Sequence, residues 1–484
     1  MAATQTNLEY WQQYGNHVLM AMPYADEILV EGRGSTLRDA NGRNLIDLAS
    51  GMFCCVLGHN HPKFIERITQ QTQSLLHTGT QFLSPPVLEA GFKLAQVAPG
   101  ALKKCIFLST GTEANEFAFR LAKTYTGRTG IVGFSRGYYG TSVATKSCSN
   151  LFAHHLKDSL PLVPDNRCLP IGARCLPCFT DASHPPCGPS CLDDMEDWIG
   201  DWDNVAAVIV EPVFSAGGML FPPAGYIKRL RNIAHQHGAL LIVDEAQTGF
   251  GRTGKWFAIE HHDVEPDILS LSKSIGNGFP VAAVVTTEEI ADRVVSAGLW
   301  NLSSHQSDPV SAAAVCAVID IVREEGLLDC ARDNGTYFLE QLQALAARQP
   351  ALSSVRGLGL MIGFDLAVEN ALEAAGIVNA FMYVCRRRGV HLTYGYGGTN
   401  VRIIPPLVIT RSEIEFAVEV IEQSIAEVLA NRSVGASLPL NPYTRRLVEK
   451  HPWGQLLRRW WHSSPQEWVQ KGSGLIRKQL GVAD

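Results

Sequence analysis

The sequence lacks the features that mark membrane, secreted and fibrous proteins. No run approaches the roughly 18 consecutive apolar residues of a membrane-spanning helix, and the start, Met-Ala-Ala-Thr-Gln-Thr-Asn, has neither the basic nor the apolar region of a secretory signal. Of the 484 residues, 18% are charged and 46% are hydrophobic, which argues against disorder, coiled coil and collagen. These absences predict a globular protein with a cytoplasmic location.

A strong charge of either sign is also missing. Lys and Arg number 41 against 47 Asp and Glu, which gives a net charge of −6. This value is too small to indicate nucleic acid or an anionic membrane as a partner, so we expect small-molecule partners. At about 150 residues per domain, the length suggests two or three domains.

Between about residues 100 and 290, short apolar runs alternate with helical patterns, as in repeated strand–helix–strand units. The runs at 205–210, 239–244 and 268–271 are almost wholly apolar, which predicts strands covered on both faces and a mainly parallel sheet. Ligands of such sheets bind at the carboxyl ends of the strands. Residues that follow these runs are therefore candidates for the functional site.

The pattern changes after Ser307, where an Ala-rich helix leads into a smaller α+β region. The predicted fold class is α/β, with a large sheet domain and a small domain. We place the large domain at residues 61–318 and the small domain at 319–432, with 1–60 contributing to it. Residues 149–200 are a predicted Cys- and Pro-rich insertion, and 433–484 a Trp-rich basic extension.

Three polar signals follow predicted strands. The stretch Ser-Thr-Gly-Thr-Glu-Ala-Asn at 109–115 opens a helix whose backbone N–H groups would suit a phosphate, although by itself it favours an ordinary helix cap. Asp244 ends an apolar strand and needs a partner, because an isolated buried charge is costly. Lys273 ends the next strand, where a lysine either reaches water or acts as a nucleophilic amine.

Together these three signals match the needs of pyridoxal phosphate (PLP). A lysine forms an imine with this cofactor, a carboxylate keeps its pyridine nitrogen protonated so that the ring can accept electrons, and a helix start holds its phosphate. Further motifs accompany them: Ser50-Gly51, Val56-Leu57-Gly58-His59, Glu211-Pro212, Asp-Glu-Ala-Gln-Thr-Gly-Phe-Gly-Arg-Thr-Gly at 244–254, Ser307-Asp308-Pro309, and Arg402 before Pro405-Pro406.

On these motifs, from about Tyr24 to Ala430, the sequence resembles the class III (fold type I) PLP-dependent aminotransferases, and among them most closely 2,2-dialkylglycine decarboxylase. The resemblance implies Lys273 as the imine lysine and proton shuttle, Asp244 on the pyridine nitrogen and Gln247 on the ring hydroxyl. It also implies phosphate binding by the backbone of Gly111 and Thr112.

Three further assignments follow from the same resemblance. Tyr138 falls where the family stacks an aromatic ring on the cofactor, which suits its flat face. Ser304 matches a residue that reaches the phosphate of the neighbouring subunit, so a homodimer, or a tetramer built from it, is implied. Arg402 matches the arginine that grips the substrate carboxylate with its bidentate fork.

Two departures concern the substrate. The decarboxylase holds the departing carboxylate with a Gln and a Ser at the positions of Met52 and Ala216, which weakens the case for decarboxylation unless neighbouring residues replace those contacts. Many ω-amino acid aminotransferases have a Glu at the position of Ala216 that pairs with the arginine. Without that Glu, Arg402 stays available, so substrates with an α-carboxylate, such as alanine and pyruvate, are favoured.

The predicted function is transfer of an amino group between an amino acid or amine and a 2-oxo acid. The alternatives are decarboxylation-dependent transamination and a non-catalytic PLP-binding regulatory protein. No metal is predicted at the catalytic site. The cluster Cys175, Cys178, Cys187 and Cys191 has spacings compatible with structural zinc, although free thiols are the commoner outcome.

Overall fold

The structure is a computed structural model that describes residues 5–19, 24–149, 151, 160–171, 177–180, 192, 195–367, 371–395 and 399–430. Three of the four cysteines of the zinc hypothesis, Cys175, Cys187 and Cys191, lie outside these residues, so that hypothesis stays a prediction. The predicted extension at 433–484 also lies outside them. No helix in the described part of the chain is long and apolar enough to cross a membrane.

A seven-stranded sheet forms the centre of the fold. In spatial order its strands are β4 (Leu102–Leu108), β10 (Ala282–Thr287), β9 (Ile268–Leu271), β8 (Leu240–Asp244), β7 (Val205–Val210), β5 (Gly130–Phe134) and β6 (Arg167–Leu169). The four pairings from β9 to β6 are parallel, and only those of β10 are antiparallel. The predicted α/β fold with a mainly parallel sheet is confirmed.

The central strands are buried along their whole length because helices cover both faces of the sheet. Every residue of β7, β8 and β9 is buried, which explains why their sequences are apolar at nearly every position. The helices among the described residues are α1 (Asn7–Tyr14), α2 (Ser50–Phe53), α3 (Pro62–Ser74), α4 (Pro85–Val97), α5 (Gly111–Thr126), α6 (Val143–Ser147), α7 (Pro177–Thr180), α8 (Met195–Ile199), α9 (Tyr226–Gln236), α10 (Glu288–Ser296), α11 (Pro309–Glu324), α12 (Leu327–Arg348), α13 (Ala371–Arg387) and α14 (Arg411–Ala430).

Two smaller sheets complete the fold. One joins β1 (Leu29–Arg33), β2 (Thr36–Asp39) and β3 (Asn44–Asp47) to β13 (Val390–His391), and the other has the order β11 (Leu352–Leu358), β12 (Met361–Leu366), β15 (Asn400–Ile403) and β14 (Thr393–Tyr394). The first sheet brings the N-terminal strands to the C-terminal part of the chain through the parallel pair β3–β13. Strands β12 and β15 lie in the C-terminal region for which the sequence predicts α+β structure.

Residues 149–200, which show no periodicity in the sequence, contribute a strand to the main sheet. Strand β6 lies within them and pairs with β5 at the edge of the sheet. Helix α8 also falls within this range. A strand of three residues is too short to show the alternation by which strands are recognised in a sequence.

A close backbone approach between α12 and the β11–β12 turn gives a test of the packing. A Cβ atom at Gly335 would lie 2.2 Å from the carbonyl oxygen of Gly359, whereas one at Gly376, in α13, meets nothing within 4 Å. We expect Gly335→Ala to lower the free energy of unfolding by about 1–3 kcal/mol through overpacking. Gly376→Ala, the matched control, is expected to be neutral or stabilising, because Ala favours helices. Thermal unfolding of the two variants measures the difference in stability. Equal midpoints would contradict the close approach of Gly335 to Gly359.

Candidate active site

A cavity of about 280 Å³ lies at the carboxyl ends of the central strands. Asp244 is the last residue of β8 and pairs with Ser270 of β9, so the two strands end at the same edge of the sheet. Lys273 lies in the turn that follows β9 at this edge. Of the predicted site residues, Gly111, Thr112, Tyr138, Asp244 and Lys273 line this one cavity. The fold thus brings together residues that are far apart in the sequence.

Asp244 is a buried carboxylate held by two donors. Asn115 Nδ2 donates to Asp244 Oδ2 at 2.7 Å, and the Ala246 N–H donates to Oδ1 at 2.9 Å. Burial raises the pKa of the Asp244 carboxyl, while the Lys273 ammonium and the Asn115 amide oppose this shift. Asn115 belongs to the 109–115 stretch, but no role of its own can be predicted for it from the sequence, because only the folded sheet brings α5 to the end of β8.

Lys273 begins a short 3₁₀ turn, Lys273–Gly276, with φ of 51°. A side chain other than glycine in this left-handed region costs on the order of 1 kcal/mol or more and persists where the surrounding structure imposes it. Ser272 and Ser274, which flank Lys273, are buried. The lysine is therefore fixed at the cavity wall by a strained backbone between two buried neighbours.

The start of α5 forms the wall beside Lys273. A Cβ atom at Gly111 would lie 2.6 Å from Ser272 Oγ, so a larger residue there would have to displace this hydroxyl from the end of β9. Thr110 caps the helix by accepting a hydrogen bond from the Glu113 N–H at 3.2 Å. The stretch is an ordinary helix cap, as its sequence favoured, and its first N–H groups also adjoin the cavity, where an anion would be stabilised.

Gln247 and Tyr138 are each held by a hydrogen bond to the segment that follows β7. Ser215 Oγ donates to Gln247 Oε1 at 2.8 Å, and the Tyr138 N–H donates to Glu211 Oε1 at 2.7 Å. Glu211 is buried, and burial together with the charge of Asp244 raises the pKa of its carboxyl to about 8. The sequence identified Glu211 only as part of a motif.

Arg402, the third residue of β15, carries a buried guanidinium group. Its Nε donates to the Tyr394 carbonyl oxygen at 2.9 Å, and its Cζ lies 4.6 Å from the ring centroid of Phe53. Its Nη1 is buried without a hydrogen-bond partner among the described residues. Burial lowers the pKa of Arg402 to about 10, with the charge of Glu211 opposing the shift.

The remaining predicted residues lie at different depths. Met52 is 61% exposed, Ala216 is buried, and Ser304 is exposed. The neighbour of Ser304, Ser303, donates through Oγ to Glu113 Oε1 at 3.0 Å within the same chain. Ser304 therefore lies at the surface of the single chain.

Met52 belongs to α2, which is a distorted turn. Ser50, Gly51 and Phe53 all have positive φ, and the turn is held by Asp47, which accepts hydrogen bonds from the N–H groups of Ala49 at 2.9 Å and Gly51 at 2.6 Å. A third bond to this carboxylate comes from His59 Nε2 at 2.8 Å.

Comparison with known proteins agrees with this geometry. The sequence model of the family described as aminotransferase class-III matches residues 21–425. The chain belongs to the class III aminotransferases. An uncharacterized aminotransferase of Schizosaccharomyces pombe is 34% identical to this aminotransferase over 436 residues, covering 86% of this chain and 94% of the relative. The acetylornithine aminotransferase of Methanothermobacter thermautotrophicus is 35% identical over 401 residues, covering 83% and 94%.

Solved structures show the same fold. The PLP-bound amine transaminase from an uncultivated Pseudomonas species superimposes with a TM-score of 0.76 at 30% identity, covering 85% of this chain and 97% of that one. The prediction of an enzyme that uses PLP to transfer an amino group between an amino compound and a 2-oxo acid is confirmed. The cavity suits this cofactor, because the buried carboxylate of Asp244, Lys273 and the start of α5 at Gly111 all line it.

The ion pair beneath the turn predicts a pH dependence of stability. Burial lowers the pKa of His59, but hydrogen bonds with Asp47 and the Cys55 thiol outweigh burial and raise the pKa to about 9. The stabilisation is fully present below the unfolded-state pKa of about 6.5 and is lost as the pH rises through 9. The thermal midpoint should therefore fall more steeply between pH 6.5 and 9.5 in this aminotransferase than in His59→Gln. His235→Gln, which removes a more exposed pair with Asp267 at 2.8 Å, serves as control, and identical slopes in all three proteins would refute the assignment.

Proposed function

We propose that this aminotransferase acts on amino acids and 2-oxo acids with an α-carboxylate, which Arg402 binds. The observation that carries this proposal is the buried Nη1 of Arg402, which has no hydrogen-bond partner among the described residues. A buried polar group without a partner is costly, and a carboxylate in the guanidinium plane would satisfy it. Ala216 supports the proposal, because it offers no charge that could pair with Arg402.

The same proposal gives the other site residues their roles. PLP, when bound, supplies a ring that accepts electrons from the substrate. Lys273 would hold the cofactor through Nζ and carry the proton taken from the substrate Cα. Asp244 would accept a hydrogen bond from the protonated pyridine nitrogen, and its two donors fix the orientation of its oxygens.

The remaining groups would orient the cofactor. Gln247 uses its Oε1 to accept from Ser215, which directs its amide N–H groups elsewhere, and we assign them to the ring hydroxyl. The backbone of Gly111 and Thr112 would hold the phosphate, because they open a 16-residue helix at the cavity wall. Tyr138, which also lines the cavity, would stack on the ring.

Within the family, the motifs resemble 2,2-dialkylglycine decarboxylase, but the substituted positions favour ordinary transamination. Met52 has no polar group for a departing carboxylate, and Ala216 lacks the hydroxyl. The adjacent Ser215 hydroxyl already donates to Gln247, so it does not replace the missing donor. We therefore propose that the bond broken at the substrate Cα is the one to hydrogen.

An absorbance spectrum of the PLP-loaded protein, taken before and after addition of an amino donor, tests this assignment. L-Alanine should bleach the cofactor band, whereas 2-aminoisobutyrate, which has no Cα hydrogen, should leave it unchanged and release no carbon dioxide. Bleaching by 2-aminoisobutyrate together with carbon dioxide would establish the decarboxylating reaction instead.

A substitution tests the role of Arg402. Arg402→Lys keeps the charge but loses the fork, so the KM for L-alanine should rise by about tenfold or more, as expected for a lost charge-assisted bond of at least 1.4 kcal/mol. Arg356→Lys is the matched control, because Arg356 is also buried but pairs with Asp365 at 2.8 Å. Equal KM values in both variants would remove Arg402 from the substrate site.

We also propose a homodimer in which Ser304 reaches the phosphate of the partner's cofactor. Support comes from large apolar side chains near Ser304 and on α4 and the segment before it, which a partner would cover. They are Phe82, Leu83, Phe92, Trp300 and Leu302, each at least 65% exposed in the single chain.

Mixed dimers test the shared site. Ser304→Ala should weaken PLP binding in both sites of its own dimer, and Lys273→Ala should abolish activity. Co-assembly of the two variants places an intact Lys273 and an intact Ser304 in one site of each mixed dimer. PLP titration should then show tight binding restored in that site. Unchanged PLP affinity in the Ser304→Ala dimer, or a monomer by light scattering, contradicts the shared site.

A further inference from the structure

The turn Ser50–Phe53 places an aromatic ring directly on the arginine of the proposed substrate site. The ring of Phe53 lies 4.6 Å below the guanidinium carbon of Arg402, within the distance of a cation–π interaction. Phe53 is 3% exposed, so water does not weaken the attraction. This contact joins the N-terminal part of the chain to β15.

We propose that Phe53 is a positioning residue that orients Arg402 for a substrate carboxylate and thereby selects substrates that carry one. The inference rests on the proposed role of Arg402. It adds Phe53 to the proposed substrate site. The aromatic ring at this position determines how well Arg402 discriminates between amino acids and simple amines.

The arrangement of contacts around the guanidinium supports this proposal. The guanidinium carbon of Arg402 lies over the ring of Phe53, which has no nitrogen or oxygen acceptor for its N–H groups, and the Tyr394 carbonyl oxygen accepts from Nε at 2.9 Å. The in-plane edge at Nη1 is left without a partner among the described residues. A carboxylate binds a guanidinium in this plane, so the ring stabilises the charge without competing with the ligand.

The backbone of Phe53 is fixed as firmly as its ring. Its N–H donates to the Ala49 carbonyl oxygen at 2.8 Å, and Ser274 Oγ donates to its carbonyl oxygen at 3.4 Å. Its φ of 65° is a left-handed value that an aromatic residue adopts only where the surroundings impose it. Because Ser274 adjoins Lys273, the turn also ties the arginine to the lysine end of the site.

The turn is tied to the strand of Arg402 by a second contact. Ser50 Oγ donates to the carbonyl oxygen of Ile404 at 2.7 Å, two residues beyond Arg402. Phe53 and Ile404 also belong to one small apolar cluster, which includes Ala49, Val213, Met219 and Met361. A leucine at position 53 keeps an apolar side chain in this cluster but removes the aromatic face.

The test compares substrates with and without a carboxylate in the PLP-loaded enzyme. Phe53→Leu should raise the KM for L-alanine and the inhibition constant for propionate by about tenfold, within the range of buried cation–π interactions. The half-reaction with isopropylamine, followed as bleaching of the cofactor band without a 2-oxo acid, should keep its rate constant, since that amine has no carboxylate to bind. Phe53→Tyr retains the ring and should restore both constants to within about threefold.

A matched control separates positioning from packing. Phe364→Leu removes a ring from β12, the neighbour of β15, where Phe364 is fully buried, contacts the ring of Phe381 and pairs with Val401. It should lower the thermal midpoint without changing the ratio of the alanine to isopropylamine constants. A Phe53→Leu variant that changes both substrates equally would show a structural role only and overturn the inference.

A double-mutant cycle distinguishes failure of this inference from failure of the proposed function. If Phe53 acts through Arg402, the tenfold effect of Phe53→Leu disappears in the Arg402→Lys background. If Arg402→Lys alone leaves the alanine and propionate constants unchanged, the proposed substrate site is wrong. If Arg402→Lys raises them but Phe53→Leu does not, the site is correct and Phe53 does not position it.

Discussion

The proposed active site depends on keeping one carboxylate charge in the protein interior. Asp244 is buried at the end of β8, and burial raises its pKa, so its charge persists only with nearby compensation. The Asn115 amide, the Ala246 N–H and the Lys273 ammonium supply that compensation. They come from α5, from the turn after β8 and from the turn after β9. The need to pair this single charge therefore constrains the positions of three segments at once. The cavity lies between these segments.

A similar constraint applies to Glu211 and Arg402, which are both buried. Burial and the charge of Asp244 raise the pKa of the Glu211 carboxyl, whereas the charge of Glu211 opposes the fall in the pKa of Arg402 that burial causes. Because Nη1 of Arg402 has no hydrogen-bond partner among the described residues, the substrate carboxylate that we propose would complete the contacts of this guanidinium.

The sequence predicts the parts of this site that depend on strand ends. Runs apolar at nearly every position mark buried strands, and the polar residues that follow, Asp244 and Lys273, mark where ligands bind. It does not predict Asn115 as a partner of Asp244, because α5 and β8 meet only in the folded sheet. The contact of Phe53 with Arg402 cannot be predicted for the same reason, since nothing near Phe53 in the sequence indicates that it meets β15. Strand β6 cannot be predicted because a strand of three residues is too short to show alternation of apolar and polar residues.

The turn that contains Phe53 has a strained backbone that contacts from neighbouring strands hold in one conformation. Ser50, Gly51 and Phe53 have left-handed φ values, which an isolated segment would not hold. Asp47 of β3 accepts a hydrogen bond from the Gly51 N–H, and Ser50 Oγ donates to Ile404 just beyond β15, so contacts to both strands hold the turn in place. These contacts fix the turn, and with it the ring against Arg402, without a substrate. The ordering cost is met during folding and not during binding, which is the physical meaning of a preorganised site.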